Sequence, residues 1–202
     1  METKKKMKIG ILASHNGSNL QAIIDAVENG TLNATVSVVI SNNSKSGAAE
    51  RARKHNIPFC HLSSATNPDE CSLDDAILNA LIENHTDIVF LAGYMKKLGH
   101  NTLHKFNGKI LNTHPALLPK FGGKGMYGMN VHKAVIVQNQ TDSGVTIHLV
   151  DEEYDEGKII AQTKVPVFPI DRPEYLCDRV MTRERQFIIE VLNEIISGKI
   201  QL

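Results

Sequence analysis

The chain has 202 residues, enough for one domain burying roughly 70% of its unfolded surface, and its 22 basic residues balance 22 acidic ones. That neutrality removes the broad basic footprint of a general nucleic-acid or membrane-surface binder, and no apolar run approaches the ~20 residues of a membrane span. Three cysteines, Cys60, Cys71 and Cys177, with no Cys-x-x-Cys pair, argue against disulfide frameworks and zinc knuckles and for a reduced, cytoplasmic setting.

After the basic opening Met1-Glu2-Thr3-Lys4-Lys5-Lys6, residues 7–13 read as a buried strand whose apolar run stops too early for a signal-peptide core. The polar turn Ser14-His15-Asn16-Gly17-Ser18-Asn19 then enters a helix carrying Leu20, Ile23, Ile24 and Val27 at helical spacing, closed by Gly30. Such a turn offers an anion unpaired backbone N–H groups and the positive end of a helix dipole, and Gly17 lets a ligand approach the backbone closely. The plainer alternative is that Ser18 or Asn19 caps the helix. The turn is neither Gly-x-Gly-x-x-Gly nor a Walker loop, so dinucleotide and ATP binding have no motif support.

Residues 35–41 form a valine-rich strand, residues 48–55 a short helix, and residues 59–62 a brief strand after Pro58. Ser72 is expected to cap a helix with Leu73, Ala76, Ile77, Ala80 and Leu81 on one face. Residues 87–93 and 109–112 are further apolar strands. Short apolar strands alternating with amphipathic helices predict an α/β fold, a doubly wound and mostly parallel sheet, Rossmann-like in its N-terminal half.

The strand at 109–112 runs into Asn112-Thr113-His114-Pro115. Residues two apart on an extended segment point to one side, so the Asn112 amide and the His114 imidazole face one site together. Pro115 holds His114 in extended angles and lacks an N–H, which ends a central strand, and open α/β sheets bind ligands at such ends. The competing view is that both side chains merely satisfy hydrogen bonds where the strand leaves the core. The stretch Phe121-Gly122-Gly123-Lys124-Gly125-Met126-Tyr127-Gly128 looks like a phosphate cradle, but no Ser or Thr follows the lysine and no strand precedes it. It reads as a mobile loop, covering the substrate or simply connecting elements.

Residues 144–150 and 158–167 are extended runs whose spacing suits antiparallel neighbours, so the C-terminal half carries antiparallel strands and the sheet is mixed. Their acidic connection, Asp151-Glu152-Glu153-Tyr154-Asp155-Glu156-Gly157, reads either as solvated charge or as a loop returning the Asp155 carboxylate to the rim. An Asp beside His114 would orient the ring and favour the imidazolium. Pro173 opens a long helix with Leu176, Val180, Phe187, Val191 and Ile195 facing the core, ending near Gly198. No repeat or linker intervenes, so residues 1–202 read as a single domain. His55, His61, His85, His100 and His104 form no metal pattern; His100 and His104, at helical spacing, read as surface residues. His148 reads as a core histidine with the option of lining the same rim, and no Gly-x-Ser-x-Gly elbow supports serine hydrolysis.

Taken in order, Asn16-Gly17-Ser18-Asn19-Leu20-Gln21, Leu91-Ala92-Gly93-Tyr94-Met95, Asn112-Thr113-His114-Pro115-Ala116-Leu117-Leu118-Pro119 and Asp155-Glu156-Gly157 make the chain resemble the phosphoribosylglycinamide formyltransferases nearly end to end. The resemblance implies transfer of the formyl group of 10-formyltetrahydrofolate, as co-substrate, to the amine of glycinamide ribonucleotide in purine synthesis, through a tetrahedral intermediate and with no metal. It assigns Asn112, His114 and Asp155 to catalysis, and Gly17, Ser18, Asn19, Met181 and Glu184 to the ribonucleotide. Around the folate it places Met95, Lys96, Lys97, Leu98, Asp151, Glu152, Glu153, Tyr154 and Asn112. The N-terminal half then binds the ribonucleotide phosphate and the C-terminal half completes the folate site. Lys96 stands where an arginine is common, His15 where a glycine is common, and Glu70 where some members carry a folate-contacting arginine; the loop 122–130 is longer than in the shorter members.

The resemblance further implies small-molecule partners only, with neither nucleic acid nor membrane, and leaves the oligomeric state open. Two related enzymes share the Asn, His and Asp set, the 10-formyltetrahydrofolate hydrolases with an added N-terminal module and the methionyl-tRNA formyltransferases with an added C-terminal barrel. The chain is expected to leave no room for either addition. The remaining alternative is a non-catalytic nucleotide-binding module of the same fold.

Overall fold

The computed structural model describes residues 6–202; residues 1–5 of the basic opening lie outside them. Period-two burial makes the sheet two-sided: in β1 (Met7–Leu12), Ile9 and Ile11 pack on one face and Leu12 on the other. β2 (Ala34–Ser41) pairs with β1, and β3 (Phe59–His61) with β2. On the other side of β1 lie β4 (Ile88–Leu91) and then β5 (Ile110–His114), all of these pairings being parallel. β6 (Asp142–Leu149) and β7 (Ile159–Pro166) join antiparallel, giving the order β3-β2-β1-β4-β5-β6-β7. The doubly wound, mixed sheet expected from the sequence is what the chain forms.

Four helices supply one face: α1 (Ser18–Glu28) brings Leu20 and Ile23, α2 (Gly47–Lys54) Ala52, α5 (Met129–Val137) Val135, and α6 (Pro173–Ile196) Leu176 and Val191. α3 (Glu70–Glu83) covers the opposite face with Ile77 and Leu81, joined by Leu103 of α4 (His100–Lys105). Full burial of each Leu or Ile contributes about 1.5–3 kcal/mol, which is why these stripes hold the layers together.

Three local features differ from expectation. α3 starts earlier than predicted, because the Asp69 carboxylate accepts the Ser72 N–H at 2.8 Å and is the cap, whereas the Ser72 hydroxyl donates back to the Asp69 carbonyl. α4 has no cap of its own; its first N–H groups, on Asn101 and Thr102, donate to the Asp74 carboxylate of α3, at 2.7 and 3.1 Å. α5 follows the glycine-rich loop where the sequence reading placed no element; it starts at Met129, and the residue before it, Gly128, carries no side chain to signal a helix start.

Candidate active site

β2 and β3 lie to one side of β1, and β4 and β5 to the other, so chain segments leaving β1 and β4 go to opposite faces and open a crevice at the strand ends. Ser14 ties the two segments together: its N–H donates to the Gly93 carbonyl at 3.1 Å and its hydroxyl accepts the Met95 N–H at 2.9 Å. A cavity of about 540 Å³ fills the crevice, within the range of small-molecule sites. Its walls come from the turn after β1, the segment after β4, the end of β5, the loop 123–128 and α6.

Asn112, His114 and Asp155 all line this cavity. Asn112 and His114 come from the same side of β5 as the period-two spacing predicts. Asp155 arrives by a left-handed residue, φ 59, in the connection between β6 and β7; its neighbours at 151–154 are exposed, but its own side chain is only 12% exposed. The carboxylate Oδ2 accepts the Gly123 N–H at 2.9 Å and lies 3.4 Å from His114 Nδ1. The other ring nitrogen, Nε2, donates to the Phe121 carbonyl at 2.7 Å, so Nε2 carries a proton and Nδ1 is the nitrogen that faces Asp155.

Asp155 favours the imidazolium as expected, but burial of the ring opposes it. Burial lowers the His114 pKa, and although the Asp155 charge and the Phe121 carbonyl raise it, the balance stays below the usual value, with His148 adding to the depression. Desolvation wins because the ring is almost wholly enclosed. Asp155 goes the opposite way to its own burial: burial opposes its charge, but His148, His114 and the Gly123 N–H outweigh that and hold the carboxyl below its ordinary range.

At the opposite end, Gly17 is the residue before α1, at φ 72 and ψ 32, and no side chain caps the helix. Neither Ser18 nor Asn19 plays the capping role, so the first N–H groups of α1 remain available to an anion. Gly17, Ser18, Asn19, Met181 and Glu184 share the cavity with the Asn, His and Asp set. Glu184 is buried and accepts the Thr113 hydroxyl at 2.9 Å; burial pushes its pKa up, more than its hydrogen bonds with Thr113 and Asn19 and the Arg185 charge pull it down.

The family described as formyl transferase matches residues 7–192. The chain belongs to the formyl transferase family. It is 39% identical over 198 residues to the chloroplastic phosphoribosylglycinamide formyltransferase of Vigna unguiculata, an alignment spanning 98% of this chain and 64% of that protein. To the phosphoribosylglycinamide formyltransferase of Haemophilus influenzae it is 37% identical over 195 residues, spanning 96% of this chain and 90% of the relative. The crystal structure of glycinamide ribonucleotide transformylase 1 from Symbiobacterium toebii matches with a TM-score of 0.89 at 34% identity, covering 98% of this chain and 91% of that one.

A smaller cavity of about 80 Å³ adjoins the first, sharing Tyr94, Asn112, Tyr154 and Asp155 with it. Of the residues expected at the folate, Lys96, Lys97, Leu98, Asp151, Glu152, Glu153, Tyr154 and Asn112 line this side pocket, whereas Met95 lines only the larger cavity. Lys97 clasps the exposed loop, donating to the Glu152 carbonyl at 2.7 Å with its ammonium 5.1 Å from the Tyr154 ring centre. Glu70 lines neither cavity. His100 and His104 are exposed and stack on each other on α4.

Two histidines matter more to this member of the formyl transferase family than their sequence context suggests. His148 is buried at the rim and donates through Nδ1 to the Leu149 carbonyl at 2.8 Å. Its Nε2 lies 3.1 Å from the Asn112 amide nitrogen and 3.5 Å from Asp155, linking two members of the set. His132 of α5 also lines the large cavity; burial first, and the neighbouring His114 second, lower its pKa to about 4, and its Nδ1 is buried with no hydrogen-bond partner. Its signal was the helical spacing of Val131, His132 and Val135, all buried.

Proposed function

We propose that this chain transfers the formyl group of 10-formyltetrahydrofolate to the amine of glycinamide ribonucleotide, with Asn112, His114 and Asp155 as the catalytic set. The observation that carries the assignment is the inward Asp155, meeting His114 at the junction of two cavities, one ending on an uncapped helix N-terminus and one of mixed apolar and polar lining. The family and the similarity to phosphoribosylglycinamide formyltransferases support the same reaction. The chain spans 64% of the Vigna unguiculata relative's length.

The phosphate end of the ribonucleotide sits on the turn Gly17, Ser18 and Asn19, with Glu184 and Met181 from α6 closing that end. The side pocket suits a flat ring: Leu91, Leu98, Leu103 and Val150 offer apolar walls, and the loop 151–154 offers polar groups at the mouth. The pocket is small, so admitting a ring displaces the loop that Lys97 clasps. Both halves of the chain contribute to both ends, and the chain works as one unit. The reaction is assigned to the cytosol, where free Cys60, Cys71 and Cys177 stay reduced.

Attack of the amine on the formyl carbon makes an oxygen negative, and stabilising that charge is the largest single term in many such reactions. One Asn112 amide N–H is directed at His148, which leaves the second for the oxygen. His114 donates to the same oxygen once Nε2–H exchanges the Phe121 carbonyl for it. The attacking amine must lose a proton and departing N10 must gain one. The Nδ1 lone pair of His114 and the Asp155 carboxylate together hold one proton between the two events, directly or through a water.

The test mixes purified protein with 10-formyltetrahydrofolate, with and without glycinamide ribonucleotide, and follows loss of the formyl group. Ribonucleotide-dependent loss is expected. Equal loss without ribonucleotide would make the chain a hydrolase, and no loss in either arm would make it a binding module.

A further inference from the structure

We propose that Lys124, on the glycine-rich loop between β5 and α5, supplies the counter-charge for the substrate's phosphate, its flexible side chain reaching along the cavity it shares with the α1 turn. The proposal rests on the ribonucleotide being the ligand of the large cavity, and deepens that reading by naming a second contact to its anionic end.

Charge in the cavity motivates it. Lys124 is the only lysine or arginine among the described residues lining the large cavity. Two carboxylates line it as well, Asp155 held in its charged form and Glu184 held toward its neutral one. A phosphate monoester brings a charge of about −1.5 to −2 at neutral pH. The partial charge at a helix N-terminus is roughly +0.5, too little to offset the phosphate beside a carboxylate. His114 and His132 do not fill the gap, since burial keeps both rings disposed to the neutral form. His15 also lines the cavity beside the turn, which leaves Lys124 as the one permanently cationic side chain among the described residues of the lining.

Placement supports it too. The residue before Lys124 is pinned to the reaction centre, Gly123 N–H donating to Asp155 at 2.9 Å, and two residues further back the Phe121 carbonyl holds His114. The Lys124 backbone is therefore fixed at the wall, while its side chain is exposed and makes no hydrogen bond or ion pair with the described residues. Unpartnered polar atoms in the same cavity point to a polar ligand: Asn19 Oδ1 beside the turn, on a residue 9% exposed, and His132 Nδ1, on a residue 1% exposed. A sugar hydroxyl is a donor of the kind Asn19 Oδ1 lacks.

Lys124→Gln and Lys124→Arg are compared with the wild-type chain by calorimetry against glycinamide ribonucleotide and its dephosphorylated riboside, and by steady-state kinetics at low and high salt. Lys124→Gln is expected to weaken ribonucleotide binding roughly tenfold or more, the scale of a hydrogen bond to a charged group, with the change in KM exceeding that in kcat. Its affinity for the riboside and the KM for the folate should hold, Lys124→Arg should restore binding, and the salt dependence of wild-type binding should flatten in the Gln variant. Thermal unfolding checks that each variant is folded. Wild-type ribonucleotide affinity in Lys124→Gln overturns the proposal, as does a rise confined to the folate KM, which would place the ammonium on the donor. Calorimetry reads phosphate recognition without turnover, so a wild-type chain that binds ribonucleotide but transfers no formyl group refutes the reaction and not Lys124.

Discussion

Replacing Gly17 by alanine separates phosphate recognition from stability. At φ 72 and ψ 32 the backbone is left-handed, which costs an L side chain about 1–2 kcal/mol. An added Cβ would also stand 2.9 Å from Ala48 Cα and 3.1 Å from Ala48 Cβ, and that neighbour is α2 backbone rather than the end of a flexible side chain. The turn has to move away from α2, so the combined cost is about 2–3 kcal/mol, or roughly 5–10 °C in Tm for a chain of this size. Moving the turn also misaligns the N–H groups of α1 with the phosphate, and loss of one hydrogen bond to a charged group weakens ribonucleotide binding about tenfold or more. Gly30→Ala is the control: φ is 78, nothing lies within 4 Å of the added Cβ, and the site is distant, so it carries the left-handed penalty alone. Thermal unfolding, calorimetry with ribonucleotide and the KM for each substrate are measured on both variants. Gly17→Ala should lose stability and ribonucleotide affinity while keeping folate KM, and Gly30→Ala should lose stability only. A folded Gly17→Ala that binds ribonucleotide as tightly as the wild type, or an equal binding loss in Gly30→Ala, refutes the reasoning.

Asp155→Asn keeps the size of the side chain and removes its charge, and turnover is expected to fall by about 100-fold or more with ribonucleotide affinity little changed; near-normal kcat in the folded variant would take Asp155 out of the proton path. His132 makes stability depend on pH. Its folded pKa of about 4 lies below the ordinary 6.5, so below pH 6.5 the unfolded chain binds a proton that the folded chain does not. Stability is therefore lost as pH falls from 6.5 toward 4, by roughly 3 kcal/mol from this residue at about 1.4 kcal/mol per tenfold change in proton affinity. Denaturant unfolding of wild type and His132→Phe across that range should show the gap between them changing by this amount, and a pH-independent gap would count against a buried neutral ring.

Much of the site was legible because its signals are local. Short continuous apolar runs mark β1, β4 and the start of β5, and the division of their residues between two buried faces follows from period two. The same period puts Asn112 and His114 on one side, and Pro115 says where the strand stops. What escaped were features whose cause lies far along the chain. α4 is capped by Asp74 from α3, a contact across 27 residues or more, and α5 begins just after a glycine that offers no start signal. The Asp151–Tyr154 stretch and Asp155 look equally solvated as text, yet four side chains stay exposed and one turns inward.

The amino-acid order determined the layered sheet, the strand end that carries Asn112 and His114, and the turn that enters α1, because hydrophobic period, proline and glycine act within a few residues. The direction of the His114 pKa shift was decided only by folding. Its sequence neighbours say nothing of how completely the ring is enclosed, and enclosure outweighs the Asp155 charge. The meeting of Asp155, Gly123, His148 and His132 around that ring belongs to the tertiary structure as well, since distances between side chains so far apart in the chain are set by packing.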